Sequence, residues 1–108
     1  MRGVNKVWIS GNLCSDGLFN TLKDGREVCS FKVASERRNG PDKVLAVIRV
    51  NVYNENLTRI CKKFVRKGGY VQVEGELMNR PGKYEELTEV RAKEVIFVDK
   101  EEDNDSSY

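Results

Sequence analysis

The stretch RGVNKVWISGNL, residues 2–13, is the most informative part of this sequence. Its apolar residues recur at every second position, as Val7, Ile9 and Leu13 do, which is the period of a strand with one buried face. Gly11 interrupts the run on that same face. The opposite face is basic, aromatic and polar, and it carries Lys6, Trp8 and Ser10.

Length and composition predict one soluble domain. The chain has 108 residues, of which 33% are charged and 39% hydrophobic, so it can bury a modest single core. No apolar run approaches the ~20 residues that a membrane-spanning helix needs, and no charged-then-apolar leader is visible. We therefore expect a cytoplasmic protein that does not bind membranes.

The net charge of +2 conceals two segments of opposite sign. Residues 1–98 carry 18 basic and 12 acidic side chains, a net charge of +6, whereas residues 99–108 carry a net charge of −4. A basic domain favours polyanionic partners, because binding releases their counterions. The polar residues 99–108 predict a short, disordered, acidic C-terminal tail.

The sequence contains no recognisable catalytic or metal-binding pattern. Histidine is absent, and Cys14, Cys29 and Cys61 form no C-x-x-C pair. We therefore expect neither an enzyme nor a bound cofactor or metal, and we interpret Cys29 and Cys61 as small core residues. The glutamates near the last two predicted strands are interpreted as solvated side chains rather than catalytic groups, namely Glu74, Glu76, Glu85, Glu86 and Glu89.

A hairpin follows the first strand. Asp24 and Gly25 separate two strand-like runs at residues 18–22 and 27–35, and this dipeptide is typical of a tight hairpin turn. Residues 36–42 are polar and include a glycine and a proline, so they predict a loop.

The next strand is predicted over residues 43–53. Its even-numbered positions are uniformly apolar, which turns Arg49 and Tyr53 outward together. A cation and an aromatic ring are therefore expected on one solvent-facing surface. The positions predicted to face the core are Val44, Ala46, Ile48, Val50 and Val52.

One helix is predicted after this strand. Asn56 is a suitable N-terminal cap, and the pair Gly68 and Gly69 ends the pattern. Apolar residues recur with helical spacing at Leu57, Ile60, Cys61, Phe64 and Val65.

Two further strands, over residues 70–77 and 86–98, flank a predicted turn that spans residues 79–83. Three strand units, a helix and two more strands are the order of the oligonucleotide-binding (OB) fold, an all-β, five-stranded Greek-key barrel with one α-helix. Other small barrels and half-open sheets satisfy the same periodicities. The expected organisation is an OB-fold domain at 1–98 followed by the tail at 99–108.

The sequence resembles bacterial single-stranded DNA-binding proteins, whose first strand usually reads N-K-V, a few aliphatic residues, then G-N-L. The resemblance covers most of residues 2–98. Five more strings occur in the family's order: FKVAS at 31–35, RVNVY at 49–53, FVRKG at 64–68, VEGEL at 73–77 and LTEV at 87–90.

The resemblance implies binding of single-stranded DNA by base stacking on aromatic rings and by phosphate contacts with lysine and arginine. Tyr53 stands where the family has a stacking phenylalanine, but other family tryptophan positions hold Arg37 and Arg38, Val47, and the turn at 80–82. We expect weaker and more salt-sensitive binding than in a typical member. The candidate DNA-binding residues are Arg2, Lys6, Lys32, Arg37, Arg38, Arg49, Tyr53, Arg80 and Lys83.

In the family the first strand lies at a subunit interface, which implies a homotetramer or a homodimer here. Trp8 is the expected anchor of that interface. The candidate interface residues are Val4, Lys6, Trp8 and Ser10.

Three functions remain open from the sequence. The first is a sequence-tolerant protein that protects single-stranded DNA in replication, recombination or repair. The second is a dimeric replication-restart accessory of the same superfamily, whose partners include replication or repair proteins. The third is a protein-interaction module that has kept the barrel but has little DNA binding.

Overall fold

A computed structural model describes residues 2–98 of the chain, and the predicted tail at 99–108 lies outside the described residues. Six strands and one helix follow the predicted order along the chain. They are β1 (Val7–Leu13), β2 (Leu18–Thr21), β3 (Glu27–Asn39), β4 (Asp42–Val52), α1 (Glu55–Phe64), β5 (Tyr70–Pro81) and β6 (Glu86–Val98).

The strands form one sheet that closes on itself as a barrel. Their order is β1-β5-β6-β4-β3-β2, and a further pairing of β1 with β3 closes the barrel. The neighbours are antiparallel except for β4 and β6, which run parallel. The predicted OB fold is confirmed. The sixth strand is the short β2, which pairs only with β3 within the described residues.

The barrel closes where two backbones come unusually close together. Asn12 and Leu13 of β1 pair with Ala34 and Val33 of β3. A Cβ atom built on Gly11 would lie 2.2 Å from the carbonyl oxygen of Ala34, so this position has no room for a side chain. The glycine that interrupts the apolar face of β1 therefore allows the closure.

The interior of the barrel is small and rich in valine. Cys29 and Cys61 are fully buried in it, as predicted from the sequence. A hydrogen bond with Cys29, together with burial, raises the pKa of the Cys61 thiol and favours its protonated form. The buried apolar residues are Leu13, Cys29, Phe31, Val33, Val50, Val52, Cys61, Val65, Val71, Val73, Val90, Ala92 and Val95.

The predicted loop at 36–42 is wrong, because β3 and β4 continue through it as a two-stranded arm. Their pairing runs without interruption to Asn39 and Asp42, which leaves only Gly40 and Pro41 as the turn. Gly40 has a φ of +66°, the left-handed conformation that glycine adopts without steric cost. The prediction failed because the residues are polar, and a two-stranded arm that extends beyond the barrel needs no apolar face.

The same arm corrects the predicted core. Val44 and Ala46 were expected inside the barrel with the rest of their face, but both are exposed. The barrel ends at Ile48, so only the second half of β4 covers the core. An alternating pattern assigns residues to a face, but it does not report where along the strand that face is covered.

The second hairpin is also longer than predicted. Pairing of β5 with β6 continues to Pro81 and Glu86, so the predicted turn at 79–83 is wrong. The amide of Gly82 donates to the carbonyl of Glu85, 2.7 Å away, and closes the turn. Arg80 therefore lies on a strand rather than in a loop.

The helix α1 packs against β3 and β6 and begins earlier than predicted. Its N-terminal cap is Asn54 rather than Asn56, since the Asn54 side chain accepts a hydrogen bond from the Leu57 amide at 3.0 Å. Ile60 and Phe64 were expected to be buried but are about half exposed. Within residues 2–98, no helix is long and apolar enough to cross a membrane.

Candidate nucleic-acid interface

The outer surface of four adjacent strands, β3, β4, β6 and β5, gathers four of the nine candidate DNA-binding residues. The register pairs Lys32 with Arg49 and Ser30 with Asn51, and the parallel pairing places Asn51 beside Arg91. We call this surface the polar face, and define it by Ser30, Lys32, Arg49, Asn51, Tyr53, Met78, Arg80, Glu89 and Arg91.

The centre of the polar face is a carboxylate held by three side chains. Glu89 Oε1 accepts hydrogen bonds from Asn51 Nδ2 at 2.7 Å and from Arg80 Nε at 2.9 Å. Glu89 Oε2 accepts one from Arg80 Nη2 at 2.9 Å, so the arginine binds both oxygens. Arg49 lies on the other side, with its Nε 3.9 Å from Glu89 Oε2. Two arginines therefore share one carboxylate.

The interpretation of Glu89 as a solvated side chain is wrong, because the residue is only 3% exposed. Its paired arginine explains how a carboxylate can be buried here. The hydrogen bonds from Arg80 and Asn51 and the nearby charges of Arg80 and Arg49 hold the pKa of Glu89 below its usual value, although burial opposes this. The hydrogen bonds between Arg80 and Glu89, together with the Glu89 charge, raise the pKa of Arg80. Both groups are therefore charged at neutral pH.

Arg49 is oriented by contacts at both ends of its guanidinium group. Its Nη2 donates to Ser30 Oγ at 2.8 Å, while its Nε lies toward Glu89. The Nε atom is buried and makes no hydrogen bond within residues 2–98. Arg49 faces outward as predicted, but its charge is already partly balanced by a carboxylate of its own chain.

Tyr53 lies at the edge of the polar face and is half-buried. The guanidinium carbon of Arg91 is 5.2 Å from the centre of its ring, which is a cation–π contact. Arg91 therefore covers part of one ring surface. The sequence analysis did not include Arg91 among the candidate residues, although its position opposite Asn51 brings it to this site.

Arg37 and Arg38 lie on the arm, beyond the barrel, and point to opposite sides of it. Arg38 pairs with Lys43 and shares its side with Lys32, whereas Arg37 pairs with Val44. Both arginines are exposed, and neither forms an ion pair within residues 2–98. Only Arg38 therefore extends the polar face. Arg37 lines the gap between the arm and β1.

The remaining candidate basic residues lie away from this cluster. Arg2 is exposed ahead of β1, and Lys6 is 3.9 Å from a carboxylate oxygen of Glu74. Lys83 lies in the turn between β5 and β6, with its Nζ 5.5 Å from the ring centre of Tyr84. Tyr84 is 89% exposed and was missed by the sequence analysis. The signal for it lay in the sequence, since it is the one aromatic residue of the turn at 82–85.

The predicted interface residues lie together along the outer side of β1. Trp8 is 75% exposed, and the Lys6 Nζ lies 5.9 Å from the centre of its ring. Ser10 Oγ accepts a hydrogen bond from the Tyr70 hydroxyl at 3.2 Å, and Val4 is fully exposed ahead of the strand. One edge of β1 pairs with β5, but among residues 2–98 only its last two residues pair on the other side.

Residues 2–98 contain no group of three or more cysteine, aspartate or glutamate side chains placed to hold a metal ion. Asn51 and Arg91 were absent from the sequence-predicted site, and Glu89 was interpreted there as solvated. In the structure Asn51 and Glu89 belong to a charged network, whereas Arg91 contacts the ring of Tyr53. The odd-numbered face of β4 carries Asn51 beside Arg49, and Glu89 lies in the LTEV string, but neither signal identifies a pairing.

Comparison with known proteins agrees with this architecture. Residues 4–102 match the single-strand binding protein family. Single-stranded DNA-binding protein 2 of Chlorobaculum tepidum is 30% identical over 115 aligned positions, which cover 96% of this chain and 77% of the relative. A single-stranded DNA-binding protein of Rhizobium meliloti is 30% identical over 83 positions, which cover 71% of this chain and 48% of that relative. The chain thus spans about half of the second relative's length.

The barrel also resembles a solved structure of the same kind. A Plasmodium falciparum SSB complex with ssDNA matches with a TM-score of 0.80 and 25% sequence identity, covering 92% of this chain and 98% of the other. Because the family match extends over nearly all of the described residues, the chain belongs to the single-strand binding protein family.

Proposed function

We propose that this chain binds single-stranded DNA with little sequence preference and shields it during replication, recombination or repair. It acts in the cytoplasm, without a cofactor and without covalent chemistry. The observation that carries the proposal is the polar face, where cations and an aromatic ring lie together on a barrel similar to that of the SSB complex with ssDNA. Sequence-tolerant binding needs these two components, since every base has a surface to stack and every nucleotide has a phosphate.

The contacts divide into two kinds. Tyr53 offers a stacking surface, and Lys32 and Arg38 offer cations that form no ion pair within residues 2–98. These cations, together with the net charge of +6 over residues 1–98, attract phosphates through counterion release. Of the nine candidate residues, we retain Arg2, Lys6, Lys32, Arg38, Arg49, Tyr53, Arg80 and Lys83 as proposed DNA-binding residues. Arg37 faces the gap beside β1 rather than the polar face.

We infer that copies of the chain assemble through the outer side of β1. An unpaired strand edge is a template for pairing with a second strand, and a large exposed aromatic beside it adds buried apolar area. Val4, Lys6, Trp8 and Ser10 supply this surface. The proposed assembly is a homotetramer or a homodimer.

Fluorescence anisotropy with a labelled oligo-dT tests the proposed DNA binding. We expect binding in low salt that weakens steadily as salt is added, with unlabelled duplex DNA of the same length competing poorly. Oligo-U in the same titration shows whether RNA is also bound. If oligo-dT does not bind in low salt, the chain is a protein-interaction module instead.

A dimeric accessory role in replication restart is the second candidate function. It is favoured by the small aromatic content of the polar face, where Tyr53 is the one aromatic ring and Arg91 covers part of it. Such a protein would use DNA binding chiefly to assemble replication or repair partners. Light scattering separates the two roles, because a dimer supports the accessory and a tetramer supports the protective binder.

A further inference from the structure

Glu89 is an unusual residue for the centre of a surface that attracts a polyanion. A carboxylate there repels phosphates and lowers the net charge of the face. Yet it is almost fully buried, accepts three hydrogen bonds and lies between two arginines. Its removal from water is costly unless those partners remain in place. Glu89 therefore constrains Arg49 and Arg80 as firmly as they constrain it.

The two arginines are held in place but not hidden. Their side chains retain 32% and 40% exposure respectively, so part of each guanidinium group is open to a ligand. A guanidinium paired with a carboxylate has lost much of its net attraction for phosphate. It keeps its planar surface, which stacks on aromatic rings and on bases. The polar face, which has a single aromatic ring, thereby acquires two more planar groups.

We propose that Glu89 is a positioning residue that holds Arg49 and Arg80 in place and balances their charge, so that these arginines contact the bases of a bound strand rather than its phosphates. This inference rests on the proposed binding of single-stranded DNA. It assigns phosphate contacts to other residues, such as Lys32 and Arg38. It also explains how the face can stack bases with so few aromatic residues.

The first test measures the salt dependence of oligo-dT binding by Glu89→Gln. Once the carboxylate charge is removed, Arg49 and Arg80 are free to bind phosphates. The slope of log affinity against log salt should then steepen by about 0.7 for each additional phosphate that the protein neutralises. Glu27→Gln is the matched control, because Glu27 pairs with Lys62 of α1 at 2.6 Å and lies on the side of β3 opposite to Ser30 and Lys32. An equal change of slope in the two variants would show that the slope responds only to net charge, and would overturn the proposal. An unchanged slope in Glu89→Gln would overturn it as well.

The second test uses a variant with the parental net charge, Arg80→Gln combined with Glu89→Gln. Its binding to oligo-dT is compared with its binding to an abasic strand that has the same number of phosphates. The freed Arg49 affects phosphate binding on both strands equally, so the informative quantity is the ratio of the two affinities. We expect the affinity for oligo-dT relative to the abasic strand to fall by about 5- to 150-fold, the range for losing one stacked base. Parallel losses for the two strands would show that the pair supports phosphate contacts, and would refute the proposal.

Circular dichroism and thermal unfolding establish that each variant is folded at the temperature of the titration. If Glu89→Gln does not fold, Arg80→Lys takes its place, since lysine keeps the charge but lacks the planar group. Arg80→Lys should weaken binding to oligo-dT more than binding to the abasic strand, and an equal loss of affinity for the two strands would count against the proposal. Failure of the parental chain to bind oligo-dT would instead reject the proposed function itself.

Discussion

Arg37 and Arg38 are adjacent in sequence, yet the structure predicts that only one of them contacts DNA bound to the polar face. Successive residues of a strand point to opposite sides, and the register confirms this for the arm. Arg38 lies on the side of Lys32 and Arg49, whereas Arg37 lies with Val44 on the side of the gap beside β1. We therefore expect Arg38→Gln to remove a phosphate contact and Arg37→Gln to remove none.

The magnitude follows from counterion release. Each phosphate bound on a single strand contributes about 0.7 to the slope of log affinity against log salt. Arg38→Gln should lower the slope by that amount. The ratio of the parental affinity to the variant affinity for oligo-dT should therefore fall about fivefold when salt is increased tenfold. Because Arg38 forms no ion pair within residues 2–98, its removal leaves no carboxylate unbalanced there.

Fluorescence anisotropy of a labelled oligo-dT, titrated at several salt concentrations, measures both slopes. Arg37→Gln is the matched control, since it removes the same charge from the same arm. A similar loss of slope in the two variants would mean either that the DNA strand contacts both sides of the arm or that the slope depends only on the net charge of the protein. A larger loss in Arg37→Gln would place the DNA on the side of β1, and would refute the reasoning from the register.

Four further changes test other parts of the structure. Tyr53→Ala should weaken oligo-dT binding by about 1–3 kcal/mol, whereas Tyr53→Phe should cost little, because the ring does the stacking; equal losses would assign the effect to the hydroxyl. Trp8→Glu should place a charge in a desolvated contact and split the oligomer, which light scattering at micromolar concentration detects as a fall in mass; an unchanged mass would exclude β1 as the interface. Gly11→Ala should destabilise the fold by about 1–3 kcal/mol in urea unfolding, because its Cβ would lie 2.2 Å from a carbonyl oxygen of β3; Gly3→Ala, with no atom within 4 Å, is the control. Because the pKa of Glu89 is lowered in the folded state, its carboxylate stabilises the fold at pH values above the ordinary glutamate pKa. This contribution is lost as the pH falls through the lowered pKa. Urea unfolding midpoints measured from neutral to acid pH should therefore fall less in Glu89→Gln than in the parental protein.

Local pattern favoured the OB fold among small barrels, and the family resemblance selected it. Alternation in β1, the Asp24-Gly25 turn and the helical spacing before Gly68 each report a local conformational preference, and their order along the chain matches one barrel. The same alternation turned Arg49 and Tyr53 outward correctly. These predictions succeeded because each depends only on residues a few positions apart.

Apart from the N-terminal cap of α1, which lies two residues earlier than predicted, the predictions that failed concerned pairing or packing with another segment of the chain. Whether Val44 is buried depends on where the barrel ends, and whether residues 36–42 form a loop depends on the strand opposite them. A polar sequence permits both a solvated strand and a loop, since backbone pairing makes no demand on side chains that face water.

The sequence by itself determined the faces of the strands, the basic charge of the domain and the family to which the chain belongs. The tertiary structure decided which outward residues act together. Asn51 and Glu89 are 38 positions apart, and it is the parallel register of β4 and β6 that makes them partners. Side-chain period reports the face of each strand separately, whereas a charged network needs a particular register between strands, and that register is set when the barrel closes.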